Sequence, residues 1–305
     1  MKVLIATEKP FAKVAVDGIR KIVEASGHTL ALLENYTDVK EFYAAVADAD
    51  ALIVRSDKVT KEVIDAAKQL KIVVRAGAGY DNLDLEACTA RKIVAMNTPG
   101  QNSNAVAELV LGMMIYMARK QFNGGSGTEL SGKKLGIHGL GHIGKLVAAM
   151  GNGLNMEVFA FAPSKTDEYI QAAGAKPIRD MKEFYATCDY VSLNIPSRPE
   201  NKKLVNYDVL KNAPKNATLI NTARKDVVDE EGILKLLGER KDFKYATDVA
   251  PDNAEAMKAF DTNFFATPKK MGAQTAEANI NAGLAAANQI VGFFKDGCTT
   301  FQVNK

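Results

Sequence analysis

Gly139-Leu140-Gly141-His142-Ile143-Gly144 is the stretch of this chain whose chemistry is most specific. It follows an apolar run, Leu135-Gly136-Ile137-His138, and precedes a helix-forming one, Lys145-Leu146-Val147-Ala148-Ala149-Met150. At a strand-to-helix turn this G-x-G-x-x-G spacing binds a dinucleotide. Gly139 permits the tight turn, Gly141 lets the backbone approach the pyrophosphate, and Gly144 lets helix and strand pack closely. The helix N-terminus offers free N–H groups to the phosphates. Arginines ending apolar runs are the second resource. Arg75-Ala76-Gly77-Ala78-Gly79 follows Ile72-Val73-Val74, where small residues expose backbone N–H groups that can hold a carboxylate. Arg55-Ser56-Asp57-Lys58 follows Ile53-Val54, and Asn221-Thr222-Ala223-Arg224 follows Thr218-Leu219-Ile220. An arginine facing a cleft clamps a carboxylate and polarises a carbonyl. Asp248 follows Ala246-Thr247 and could accept from a carboxamide, and Pro268-Lys269-Lys270-Met271-Gly272-Ala273 follows Phe265-Ala266-Thr267.

The elements that must position these groups alternate strand and helix. Val3–Ala6, Thr29–Leu33, Ala51–Val54, Ile72–Ala76 and Val94–Met96 read as strands, with helices such as Val14–Ala25 and Lys61–Gln69 between them. A second series runs from Leu135 through Val158–Phe161, Tyr190–Leu193, Thr218–Asn221, Tyr245–Asp248 and Phe264–Thr267. The predicted fold is α/β: two Rossmann-like, doubly wound parallel-sheet domains with a cleft between them. The substrate domain is expected over 1–98 plus 285–305 and the dinucleotide domain over 99–284. Ala105–Ala118 is apolar almost all round, so it is expected to be buried on every side, through domain contact and homodimerisation. Ala276–Phe294 is expected to return the chain to the first domain, where Thr299–Val303 closes as a short strand.

Composition bounds the partners. The chain has 305 residues, 47% hydrophobic and 25% charged, which suits two domains with substantial cores. A formal net charge of +3 with dispersed Lys and Arg argues against a nucleic-acid partner. Cys88, Cys188 and Cys298 lie far apart and read as reduced thiols of a cytoplasmic protein. No membrane partner, leader segment or metal site is expected.

With these residues in hand, the chain resembles the D-isomer-specific 2-hydroxyacid dehydrogenases, and most of all their short phosphoglycerate-oxidising branch. The likeness runs from residue 3 to about 303. It rests on Val54-Arg55-Ser56, Arg75-Ala76-Gly77, Met96-Asn97-Thr98-Pro99, the glycine turn, Asn221-Thr222-Ala223-Arg224, Asp248-Val249 and Gly272-Ala273, in that order. The resemblance implies an NAD enzyme that converts 3-phospho-D-glycerate to 3-phosphooxypyruvate, usually as a homodimer. It implies Arg224 as the substrate-polarising arginine, and Arg55, Ser56, Arg75, Ala76, Gly77 and Asn102 at substrate-binding positions. It further implies cofactor contacts at Gly139, Gly141, His142, Ile143, Gly144, Ala162, Pro163, Asn194, Ile195, Pro196, Thr222, Ala223, Asp248, Gly272 and Ala273.

The chain departs from that family in three places. Ala162 stands where the family has an Asp that grips the ribose, and Ser164 and Lys165 follow, so NADP joins NAD as a candidate cofactor. The family's catalytic His is absent: only His28, His138 and His142 are present, and none is placed to serve. Alignment backward from Gly272-Ala273 puts Lys270 there, with Lys269 beside it, and Asn253 where a partner Glu is expected. A lysine base must first lose a proton from a pKa of about 10.4. A neighbouring carboxylate would oppose that, and Asn253 removes one. A chain that had simply lost its catalytic pair is the alternative, opposed by Arg224, Asp248 and the glycine turn. Third, the chain stops soon after the expected closing strand, so no serine-binding regulatory domain is expected. A hydroxypyruvate or glyoxylate reductase and a non-catalytic dinucleotide sensor remain as other readings.

Overall fold

Short, continuously apolar runs form the centre of each sheet, as parallel strands covered on both faces require. A computed structural model describes all 305 residues. Its first unit comprises Met1–Asn102 and Gln274–Lys305, and its second Ser103–Ala273. In the first, β1 (Lys2–Thr7), β2 (Thr29–Glu34), β3 (Ala51–Val54), β4 (Ile72–Arg75) and β5 (Val94–Asn97) form a parallel sheet ordered β2-β1-β3-β4-β5. Every residue of Ala51–Val54 is buried. The order reverses between β1 and β3, which is where ligands bind in such sheets.

The helix Lys13–Ala25 buries Ala15, Val16, Ile19 and Val23, a stripe at helical spacing. It packs along Ala276–Asp296, whose buried face is mostly alanine: Ala278, Ala282, Ala286 and Ala287. That second helix is continuous, so the unit boundary falls at 273/274 rather than at the 284/285 read from the sequence; the other falls at 102/103 rather than 98/99.

The closing strand expected over Thr299–Val303 does not form. One antiparallel bridge joins Met96 to Gln302, and Val303 N–H donates to the Ala95 carbonyl at 2.9 Å. The Asn304 carboxamide then takes over the edge, accepting from Ala95 N–H at 2.9 Å and donating to the Ile93 carbonyl at 2.8 Å. A side chain does there what strand backbone was expected to do.

In the second unit, β6 (Lys134–His138), β7 (Glu157–Phe161), β8 (Lys176–Pro177), β9 (Tyr190–Leu193), β10 (Thr218–Asn221), β11 (Lys244–Thr247) and β12 (Phe264–Ala266) are also all parallel. Their order is β12-β11-β10-β9-β6-β7-β8, with the reversal between β6 and β9. The two-residue β8 has no signal in the sequence. The helix Ser103–Ala118 buries Ala107, Val110, Met113, Met114 and Met117 in this unit's core. It is not covered all round within one chain: Asn104, Glu108, Gly112 and Ile115 form an exposed stripe, with Ile115 37% exposed. No helix is long and apolar enough to cross a membrane.

Candidate active site

The glycine turn leaves β6 at the sheet's reversal point. Gly139 has φ +93°, and a Cβ there would lie 2.8 Å from the Asn194 carbonyl oxygen, so the tight turn requires glycine. A Cβ on Gly144 would stand 2.2 Å from the Gly139 carbonyl oxygen. A Cβ on Gly141 would meet nothing within 4 Å, and Gly141 begins the helix His142–Gly153 with no side-chain cap. Two glycines therefore close the turn, and the third faces open space beside free helix N–H groups. This fits a pyrophosphate. Asn194, Ile195 and Pro196 follow β9, and the first two abut Gly139. His142 and Ile143 open the helix, with His142 exposed.

Two of the three histidines are held by packing against aromatic rings. His138 is 2% exposed, its Nδ1 lies 2.8 Å from the Tyr185 hydroxyl, and burial pushes its pKa down to about 4. It is a neutral core residue among Phe161, Phe184 and Tyr185. His28 packs edge-on against Phe294 in the first unit.

Beyond β10, Asn221 shapes the turn that carries Arg224. Its Oδ1 accepts from Ala223 N–H at 3.0 Å and its Nδ2 donates to the Arg224 carbonyl at 3.0 Å. Thr222 and Ala223 are buried, and the partly exposed Arg224 side chain donates through Nη1 to the Ala223 carbonyl at 2.9 Å. Asp248 has a different task from the carboxamide contact read from the sequence. Its carboxylate is 1% exposed and accepts from the Thr267 hydroxyl at 2.9 Å, Met271 N–H at 2.7 Å and Gly272 N–H at 2.8 Å. It anchors both ends of the segment that presents Lys269 and Lys270, both exposed. Gly272 is buried, and a Cβ there would come within 3.0 Å of that carboxylate; Ala273 follows, partly buried. Asn253 donates to the Glu230 carbonyl at 3.2 Å.

In the first unit, Val54 pairs with Arg75 across β3 and β4, so Arg55 and Arg75 leave neighbouring strand ends. Arg75 Nε donates to the Arg55 carbonyl at 2.9 Å. Arg55 is half-buried and firmly held. Nη1 donates to the carbonyls of Lys9 and Pro10, each at 3.1 Å, Nη2 donates to Asn279 Oδ1 at 2.7 Å, and the guanidinium lies over the Phe11 ring. Three of its five N–H groups are committed, and two remain for an anion. Gly77, with φ +149°, leaves the space that the Arg75 guanidinium occupies. Ala76 is buried and Ser56 exposed. Asn102 has a buried Oδ1 without a hydrogen-bond partner.

The sequence reading gave no role of their own to Asn221, Asn82 and Asn279. Asn82 ties Arg55 to Asp57 by donating to both carbonyls. Asn221 had a signal, a strand-end Asn two residues before a buried N–H. Asn279 had none, because its partner lies 224 residues away.

Residues 105–270 match the family of D-isomer specific 2-hydroxyacid dehydrogenases, NAD binding domain. The chain is 34% identical over 271 residues to the D-3-phosphoglycerate dehydrogenase of Methanocaldococcus jannaschii, covering 82% of this chain and 51% of that protein. It is 34% identical over 304 residues to the human protein of that name, covering 93% and 56%. The chain thus spans about half the length of these curated relatives. The crystal structure of NAD+-bound 3-phosphoglycerate dehydrogenase in Entamoeba histolytica matches over 100% of this chain and 99% of that one, at 47% identity and a TM-score of 0.89.

Proposed function

Because this chain belongs to the D-isomer specific 2-hydroxyacid dehydrogenase family, we propose that it oxidises 3-phospho-D-glycerate to 3-phosphooxypyruvate with NAD, the first step of serine synthesis. The observation that carries the substrate is the arginine pair: Arg55 and Arg75 leave adjacent strands, with Arg75 Nε bonded to the Arg55 carbonyl at 2.9 Å. Two preorganised guanidinium groups suit an acid that carries both carboxylate and phosphate. The names of the relatives support the same substrate.

NAD, when bound, supplies the hydride acceptor. Lys270 Nζ takes the hydroxyl proton during oxidation and returns it during reduction. Arg224 binds the carboxylate and polarises the C2–O bond. Arg55 and Arg75 hold the phosphate, with the backbone of Ala76 and Gly77 beside them. Asp248 acts on the reaction through the segment it anchors. Gly141 and the uncapped helix behind it receive the pyrophosphate.

A turnover panel of 3-phosphoglycerate, glycerate, hydroxypyruvate and glyoxylate, each with both nicotinamide cofactors, tests this reading. Phosphoglycerate is expected to be turned over with the highest kcat/KM. Faster turnover of hydroxypyruvate or glyoxylate would reassign the chain as a reductase of those acids. Dinucleotide binding without turnover of any acid would make it a sensor.

The exposed stripe Asn104, Glu108, Gly112 and Ile115 on the helix Ser103–Ala118 supports a homodimer through that helix. Light scattering at micromolar concentration should give twice the chain mass, and a monomer there refutes it. The three unpaired cysteines support a reducing, cytoplasmic setting.

A further inference from the structure

We propose that the loop after β7 is a subsite for an adenosine 2′-phosphate, so that this chain binds NADP as well as NAD. The inference rests on the reading of the glycine turn as a dinucleotide site. In sheets of this order, the residue ending the strand next to the glycine turn meets the adenosine ribose. An acid there accepts from the ribose hydroxyls and repels a 2′-phosphate. Ala162 occupies that place, 4% exposed, with neither an acceptor nor a charge on its side chain.

The charges around Ala162 favour an anion. Lys165, three residues on, has its Nζ 4.8 Å from the centroid of the Tyr169 ring. Lys145, in the first turn of the helix His142–Gly153, has its Nζ 5.4 Å from the same centroid. Two ammonium groups from different elements thus converge on one partly exposed ring. Neither is paired with a carboxylate; each makes only the ring contact. Arg179 donates through Nη1 to the Ala162 carbonyl at 3.3 Å and through Nη2 to the Asp167 carboxylate, which it neutralises. Glu168 is the remaining carboxylate of the segment, and the Ser164 hydroxyl is exposed. Three cations against two carboxylates leave a net positive loop where an acid would otherwise stand. Lysine suits this ligand, since a flexible ammonium can leave an exposed ring and form a charge-assisted bond with a phosphate oxygen.

The test measures binding, not turnover. Dissociation constants of 2′,5′-ADP, 5′-ADP and NADH are measured by calorimetry for the wild type, Lys145→Ala/Lys165→Ala and Ala162→Asp. The wild type should bind 2′,5′-ADP at least about tenfold more tightly than 5′-ADP. That ratio should shrink as salt is raised and fall to about one in the double lysine variant. Ala162→Asp should reverse it. Equal affinity for the two nucleotides in the wild type overturns the proposal, and so does a preference that survives removal of both lysines. If NADH binds and 2′,5′-ADP gains nothing, only the 2′-phosphate subsite falls. If no nucleotide binds, the dinucleotide reading falls with it.

Discussion

Gly77→Ala should weaken substrate recognition without replacing a charged residue. A Cβ on Gly77 would sit 1.6 Å from Arg75 Nη1 and 2.5 Å from its Cζ, so the guanidinium must leave its place. Its bond to the Arg55 carbonyl, 2.9 Å long, goes with it. A charge-assisted hydrogen bond contributes about 1.5–3 kcal/mol, so KM for phosphoglycerate should rise about 10- to 150-fold. The backbone at φ +149° adds strain of about 1–3 kcal/mol for alanine, which a lowered melting temperature reads separately. The assay is steady-state kinetics with phosphoglycerate and NAD for the wild type, Gly77→Ala, Arg75→Ala and the double variant, alongside NADH binding. If the glycine acts by seating Arg75, the double variant should be little worse than Arg75→Ala alone. Additive losses would mean that the Gly77 backbone binds substrate on its own account. An unchanged KM in Gly77→Ala would refute the reasoning altogether.

Lys270→Ala should lower kcat about a hundredfold or more with little change in NADH affinity, and Lys269→Ala far less; a crippling Lys269 variant would shift the role by one residue. Asn279→Ala should raise KM for phosphoglycerate about tenfold, the bond of 2.7 Å to Arg55 being charge-assisted, and leave kcat unchanged; equal effects on glycerate would assign Arg55 to the carboxylate. His138, depressed to about 4 by burial, stays neutral in the fold while the unfolded chain takes up a proton below about pH 6.5. Stability should therefore fall by about 3 kcal/mol as pH drops from 6.5 to 4, at 1.36 kcal/mol per pKa unit. Urea midpoints across that range check it, and the slope should shrink in His138→Gln.

Much of the fold was legible because parallel strands buried on both faces leave short, mostly apolar runs: Ala51–Val54, Tyr190–Leu193 and Thr218–Asn221 fall on those residues in the structure. The glycine turn was legible too, since backbone approach and a positive φ leave a fixed spacing in the sequence. Tertiary structure alone decided what depends on distant partners. Asp248 reads as a strand-end acid until Thr267, Met271 and Gly272 are seen to donate to its oxygens. Asn279 reads as one more polar helical residue until it meets Arg55. The expected closing strand fails because the side chain of Asn304 satisfies the β5 edge first. Sequence periodicity reports which face of an element is dry; it carries no record of which hydrogen bond across the fold a polar residue makes, and those bonds aim the arginines and the lysine segment.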